Sequence, residues 1–474
     1  GVFAGAQLDS AYLALVPQMK TANFNFVRIW GGGMYAPEAF MRACDEAGIM
    51  VWHDFMFACM SYPSDRPFLA SVREEITQQV RRLQHHASIA LWCGDNEVIG
   101  SLHWYPETKA APERYVANYD RLNSLLGNLV EDEDPARRFW PSSPSLGYMD
   151  FSDGWHSDTR GDLHFWDVWH SAKDFSAYRN VHPRFASEFG FQSFTSMNVI
   201  ESFTQPEDRN PSSPVMEGHQ RNNGGNARIL ETMTRYFRFP SNFKQMVFLS
   251  QIQQGLAIKT AIEYWRSTKP RCMGTLYWQL NDCWPVASWS SIEHTGRWKA
   301  LQHVARRFFA PALVSAHVPG TETAIIGYYR RSTVRQVHLY TVYDAPQAAD
   351  GLLLWDLFHV DGRVVGQKRR QQFGQVLGQR RGVAQQPHLA LQPLGILAQV
   401  ELQPLHLLAD LARMVDQGLA GGRGLHAAPV ALQQRYAQRA FHGANARAGR
   451  RQRQVAALGA GSDVAALHGV QKQS

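Results

Sequence analysis

Along residues 8–313 the chain alternates short apolar runs with longer segments that are apolar on one side only. Residues 8–22 read as a helix. N-F-V-R-I-W (25–30) reads as a strand that stops at Gly31-Gly32-Gly33, and residues 37–47 as a helix opened by Pro37 and closed by Gly48. I-M-V-W-H-D-F (49–55) is the next expected strand. In residues 68–83, Phe68, Leu69, Val72, Ile76, Val80 and Leu83 recur at helical spacing, opposite Arg73, Glu74, Gln78, Arg81 and Arg82. The pattern repeats with a strand at 88–93, a helix at 114–131 and strands at 137–141, 163–168 and 184–187. A long Asn/Pro/Ser/Gly-rich loop is expected at 204–226, a helix at 248–265, a strand at 273–280 and a closing helix at 298–309.

Strands alternating with helices over some 300 residues predict a parallel sheet. Nearly every strand ends in Trp, Asp, Asn, Glu or Gly, which suits a (β/α)8 TIM barrel, where the carboxyl ends of the strands share the active face. Seven strands are counted between residues 25 and 280, and a first barrel strand before Leu8 is not found. A doubly wound dinucleotide fold is disfavoured, because Gly31-Gly32-Gly33 lacks the GxGxxG spacing. The expected organisation is a catalytic barrel at 1–313, a β-sandwich remnant of immunoglobulin type at 314–366 and a low-complexity basic tail at 367–474.

That tail changes the meaning of the charge. The chain of 474 residues carries a net charge of +7, yet residues 368–474 hold 14 Lys or Arg against 4 Asp or Glu. The other residues hold 34 against 37, so the body is near neutral and a nucleic-acid partner for the whole chain is excluded. Only Phe373, Tyr436 and Phe441 are aromatic in the tail, which is expected to be disordered or poorly packed. An out-of-frame translation of a GC-rich gene yields the same bias and is the favoured reading. No run of 18 apolar residues offers a membrane span. The cysteines (Cys44, Cys59, Cys93, Cys272, Cys283) form no CxxC pair or Cys/His cluster with zinc spacing, so free thiols and no metal are expected.

Two carboxylates stand where a barrel would place chemistry. Glu97 ends S-I-A-L-W-C-G-D-N-E and Glu188 ends R-F-A-S-E-F-G. One such Glu is ordinarily a salt-bridged loop end. Two, set among Trp30, Trp52, Trp92, Trp104, Trp155, Trp166, Trp169 and Trp278, fit a retaining glycosidase, in which one carboxyl protonates the leaving oxygen and the other attacks the anomeric carbon. About half of those indoles are expected to be core.

R-I-W-G-G-G, V-W-H-D-F-M-F-A, W-C-G-D-N-E, A-S-E-F-G-F-Q-S and L-Y-W-Q-L-N-D-C-W-P, in this order over residues 8–318, resemble glycoside hydrolase family 2, and within it the β-mannosidases. The resemblance implies Glu97 as acid/base, Asn96 as its neighbour that binds the sugar 2-hydroxyl and Glu188 as nucleophile. It implies Trp30, Asp54 and Trp278 in the −1 subsite, with Trp104 and Trp155 matching less securely. It also implies a β-mannoside oligosaccharide as substrate, no cofactor, and export to the periplasm or medium as in bacterial members. Three departures stand out: Asp95-Asn96-Glu97 where the family has N-N-E, no jelly-roll or immunoglobulin-like domain ahead of the barrel, and a tail that matches nothing in the family. Alternatives are a β-galactosidase, β-glucuronidase or exo-β-glucosaminidase of the same family, or a carbohydrate-binding fragment without turnover.

Overall fold

The computed structural model describes residues 8–154, 157–317, 323–326, 329–332, 337–347, 351–359, 369–373 and 396–400. Its centre is a parallel sheet in the order β1 (Phe26–Ile29), β2 (Met50–Asp54), β3 (Ile89–Cys93), β4 (Arg138–Trp140). Each crossover is helical: α2 (Glu38–Ala47) follows β1, α3 (Arg66–Leu83) follows β2, and α4 (Val98–Trp104), α5 (Pro106–Ala110) and α6 (Pro112–Glu133) follow β3. Helix α1 (Asp9–Thr21) precedes β1 and packs on α2.

Gly48 stops its helix as the sequence predicts, and Asp65 adds a cap not singled out there. Gly48 ends α2 in the left-handed conformation (φ 65°), where a side chain would be strained. Asp65 accepts from the Phe68 N–H at 3.0 Å and so caps α3. Val72, Ile76, Val80 and Leu83 of α3 are buried, as their spacing predicts. With α1, α2 and α6 they close one core over β1–β3, around Trp92 and Phe55.

A second parallel pair, β5 (Leu163–His164) and β6 (Ala186–Glu188), follows, with Thr275 bridged in parallel to Ala186. Rings of Phe26 and Trp52, from β1 and β2, meet Phe185 at 6.0 and 5.7 Å. The sheet therefore curls until its inner face reaches the start of β6. The second core lies behind β6, around α10 (Gly225–Tyr236), α11 (Phe243–Ser267) and α12 (Ala300–Phe308). Among the described residues no strand pairs with the outer edge of β1.

Three expectations are amended. The strand expected at 163–168 ends at His164, because Asp167 opens a short helix, α7 (Asp167–His170). The strand expected at 273–280 is only a broken ladder. Backbone N–H groups of Met273, Leu276 and Trp278 bond to Arg184, Ala186 and Phe189, and the three-residue step from 273 to 276 interrupts the pairing. The segment 204–226 holds α9 (Pro214–Gly218) after α8 (Met197–Glu201), and its last two residues begin α10. Ser213 caps α9 by accepting from the Met216 N–H, so Ser-Pro here starts a helix rather than a loop.

Beyond residue 311 the strands are antiparallel: β7 (Ala312–His317) with β10 (His338–Tyr343), β8 (Thr323–Ile326) with β9 (Tyr329–Ser332), and β11 (Gly351–His359) between β12 (Arg369–Phe373) and β13 (Ile396–Val400). Strands β12 and β13 belong to the segment expected to pack poorly. Backbone pairing along both edges of β11 asks for no aromatic content, which is what the tail lacks. The rest of that tail lies outside the described residues.

Candidate active site

The carboxyl ends of β1–β6 gather one polar, buried group. Arg28 and Trp52 are paired in register on neighbouring strands, and Asp54, two residues on, faces the same side. Asp54 is fully buried and accepts from Arg28 Nη2 at 2.7 Å, from the Trp52 indole N–H at 2.8 Å and from the Gly31 backbone N–H at 3.0 Å. Arg28 also donates to Asn96 Oδ1 at 3.0 Å, and its Nη1 stands 3.6 Å from Glu188 Oε2. Burial alone would lower the Arg28 pKa, but the charges of Asp54 and Glu188 outweigh it and raise it, so the guanidinium is a fixed cation.

Glu97 and Glu188 meet here. An oxygen of each and a ring nitrogen of His164 lie within 4.8 Å of one another. His164 Nδ1 stands 2.8 Å from Glu97 Oε1 and 3.7 Å from Glu188 Oε1, and the Trp166 indole N–H donates to Glu188 at 3.1 Å. The Cys59 thiol donates to Glu97 Oε2 at 3.4 Å. The main chain fixes Glu97 from both sides. Its N–H donates to the Ser143 carbonyl at 2.8 Å, the Asn96 N–H to the Phe57 carbonyl at 2.9 Å, and the Ser143 N–H to the Asp95 carbonyl at 3.0 Å. These bonds join the loops after β2, β3 and β4.

Asp95 points away from this cluster. Its carboxylate accepts from Ser142 Oγ (2.5 Å), Tyr119 OH (2.8 Å) and the Val98 N–H (3.0 Å), the last at the start of α4. Burial pushes its pKa up to about 7, against the pull of those donors.

A cavity of about 510 Å³ opens beside the cluster. Glu188, Arg28, Trp30 and Trp278 line it with Trp284 and Trp289, and the Trp30 and Trp278 rings meet edge to face at 4.9 Å. Of the residues singled out by sequence, Glu97, Glu188, Asn96, Asp54, Trp30 and Trp278 are thus brought together. Trp104 is not among the cavity-lining residues; its indole lies over Gly100 of its own helix and edge-on to Tyr105. Trp155 lies outside the described residues. Trp52, Trp92, Trp166 and Trp169, four of the eight indoles named, are buried, Trp52 and Trp166 turning their N–H groups to Asp54 and Glu188.

Sequence reasoning missed Arg28 and His164. Arg184 is four residues from β6's Glu188 yet exposed; the cation beside Glu188 is Arg28, 160 positions away in the chain. A charged residue in the middle of F-V-R-I-W was the available signal, since an arginine on a buried strand needs a buried partner.

Two buried carboxyls at this separation, beside an aromatic-walled cavity, are the makings of a glycoside-cleaving site. Comparison with known proteins narrows this. The chain is 38% identical to goat (Capra hircus) β-mannosidase over 320 residues, 63% of this chain and 36% of that protein. It is 33% identical to β-mannosidase B of Thermothelomyces thermophilus over 327 residues, 64% of this chain and 37% of that one. It superposes on the crystal structure of the β-D-mannosidase of Dictyoglomus thermophilum with a TM-score of 0.67 and 30% identity, covering 81% of this chain and 48% of that one. The fold is shared with the exo-chitosanase of Amycolatopsis orientalis at 14% identity and a TM-score of 0.58, covering 82% of this chain and 43% of that one. No family model matches. The chain spans little more than a third of the length of the curated relatives it matches.

Proposed function

We propose that this chain carries the catalytic region of a retaining exo-β-mannosidase, a family 2 glycoside hydrolase that removes terminal non-reducing β-D-mannose from manno-oligosaccharides or glycans. The observation that carries the reading is the pairing of Glu97 with Glu188, oxygens within 4.8 Å, in a region 38% identical to a β-mannosidase. Retaining enzymes hold their carboxyls about 5–5.5 Å apart; inverting enzymes need about 6.5–9.5 Å to admit water.

In this reading Glu188 is the nucleophile. It attacks the anomeric carbon and forms the glycosyl-enzyme while Glu97 delivers its proton to the departing oxygen. Glu97 then takes a proton from water, which displaces the sugar from Glu188. The Arg28 cation and the Trp166 N–H favour Glu188 as an anion. Asn96, held by Arg28, meets the 2-hydroxyl; Trp30 and Trp278 offer their faces to the C–H side of the pyranose. The six parallel strands and the Thr275 bridge support a (β/α)8 barrel, with no partner for the outer edge of β1 among the described residues.

The test is intact mass after incubation with 2-deoxy-2-fluoro-β-mannosyl fluoride, alongside a thermal melt. One added glycosyl group mapping to Glu188 is expected. A cooperative melt with no adduct and no cleavage of 4-nitrophenyl β-mannoside would overturn the reading and favour a non-catalytic sugar-binding fragment.

A further inference from the structure

At the amino-terminal end of β3, remote from the carboxylate pair, a second cluster of ligating groups has no part in the proposed chemistry. His85 and His86 lie in the turn between α3 and β3, and Glu38 opens α2. Glu38 Oε1 is 2.9 Å from His86 Nε2 and 3.2 Å from His85 Nε2. The three ligand atoms lie within 4.8 Å of one another. We propose that Glu38, His85 and His86 form a binding site for a divalent transition-metal ion, zinc being the best match, that ties the α3–β3 turn to α2.

Three features carry this. First, atoms bonded to tetrahedral zinc at about 2.0–2.1 Å stand about 3.3 Å from one another. The two gaps of 2.9 and 3.2 Å are near that edge length, so an ion replaces the shared hydrogen bonds with small movements. Second, His86 is already dressed as a ligand. Its Nδ1 faces Asp45 Oδ2 at 2.5 Å, the carboxylate–histidine arrangement that orients a metal-binding imidazole, and a bound ion would take the place of the proton between Nε2 and Glu38. Asp45 is itself held by the Ser88 N–H at 2.7 Å. Third, the site is anchored yet reachable. The His86 side chain is 3% exposed, those of His85 and Glu38 62% and 40%, leaving water a fourth position. Arg82 Nη1, 3.8 Å from Glu38 Oε2, engages the carboxylate oxygen that the ion does not use. Asp45 and Glu38 together balance the charge of Arg82 and half of the ion's.

The five residues of β3 put about 16 Å of strand between this cluster and Glu97. The role is structural and its test needs no turnover. The metal-stripped chain is titrated with Zn2+ by calorimetry and with Co2+ by absorption. One tight equivalent is expected, with a tetrahedral Co2+ spectrum and a raised melting temperature. His85→Ala changes an exposed side chain and leaves the fold intact; it is expected to weaken that equivalent at least tenfold. Asp45→Asn is expected to weaken it 10–100-fold. Absence of a stoichiometric event, or an equally tight one in both His85→Ala and Glu38→Gln, overturns the site.

Discussion

His164 Nδ1 stands 2.8 Å from Glu97 Oε1, wholly buried, with its other ring nitrogen 2.9 Å from the Ser143 hydroxyl. The imidazole is therefore oriented from both ends and faces the carboxyl that, in the proposed mechanism, gains and loses a proton in each cycle. Replacing it with Phe is expected to lower kcat/KM for 4-nitrophenyl β-mannoside by about 10²-fold or more and to displace the limb of the pH–rate profile that Glu97 governs. An unchanged profile would reduce His164 to packing.

The proposed division of labour between the carboxyls gives a leaving-group signature. Glu97→Ala is expected to cut kcat/KM for a mannobiose by about 10²–10⁴-fold while sparing kcat/KM for a 2,4-dinitrophenyl mannoside, whose leaving oxygen needs no proton; kcat for the latter falls because the water lacks its base. Azide should rescue it with a β-configured mannosyl azide, and Glu188→Ala with the α anomer. Chiral analysis of the azides by NMR reads the assignment directly.

Asp95 makes stability fall with pH. Its carboxyl, with a folded pKa of about 7, keeps a proton that the unfolded chain releases near 3.8. Folding therefore loses about 4 kcal/mol between pH 4 and pH 7, and little more above that. Asp95→Asn should flatten this decline and unfold at higher urea than the parent at pH 8 but not at pH 4.

The Arg28–Asp54 pair is buried on both sides (7% and 0% exposed), so removing either partner strands a charge. Arg28→Met is expected to destabilise by about 3–5 kcal/mol, and adding Asp54→Asn should recover part of that loss. Urea denaturation of the two single variants and the double variant measures the coupling.

Local chemistry made the first half of the fold readable. The Gly48 stop and the α3 stripe each act within a few residues, and Glu97 and Glu188 were marked by their place after apolar strands. What escaped depends on partners far along the chain. Pairing across 160 residues joins Arg28 to Glu188, and 67 positions separate His164 from Glu97. The 273–280 run is apolar enough for a strand, but its bonds to residues 184–189 slip by a residue, which no periodicity reports. The Glu38, His85 and His86 group escaped a search by spacing because its first member sits on another helix.

Glu97 itself holds φ at 59°, in the left-handed region, at the cap of α4. Outside glycine, asparagine and aspartate that conformation costs about 1–2 kcal/mol, and a buried carboxyl adds to it. Glutamate is thus a residue that folding alone would not choose at this position: Glu97→Gly or Glu97→Asn should melt higher than the parent while turning over nothing that needs a proton. Selection for a sturdier chain and selection for a working one pull this single site in opposite directions.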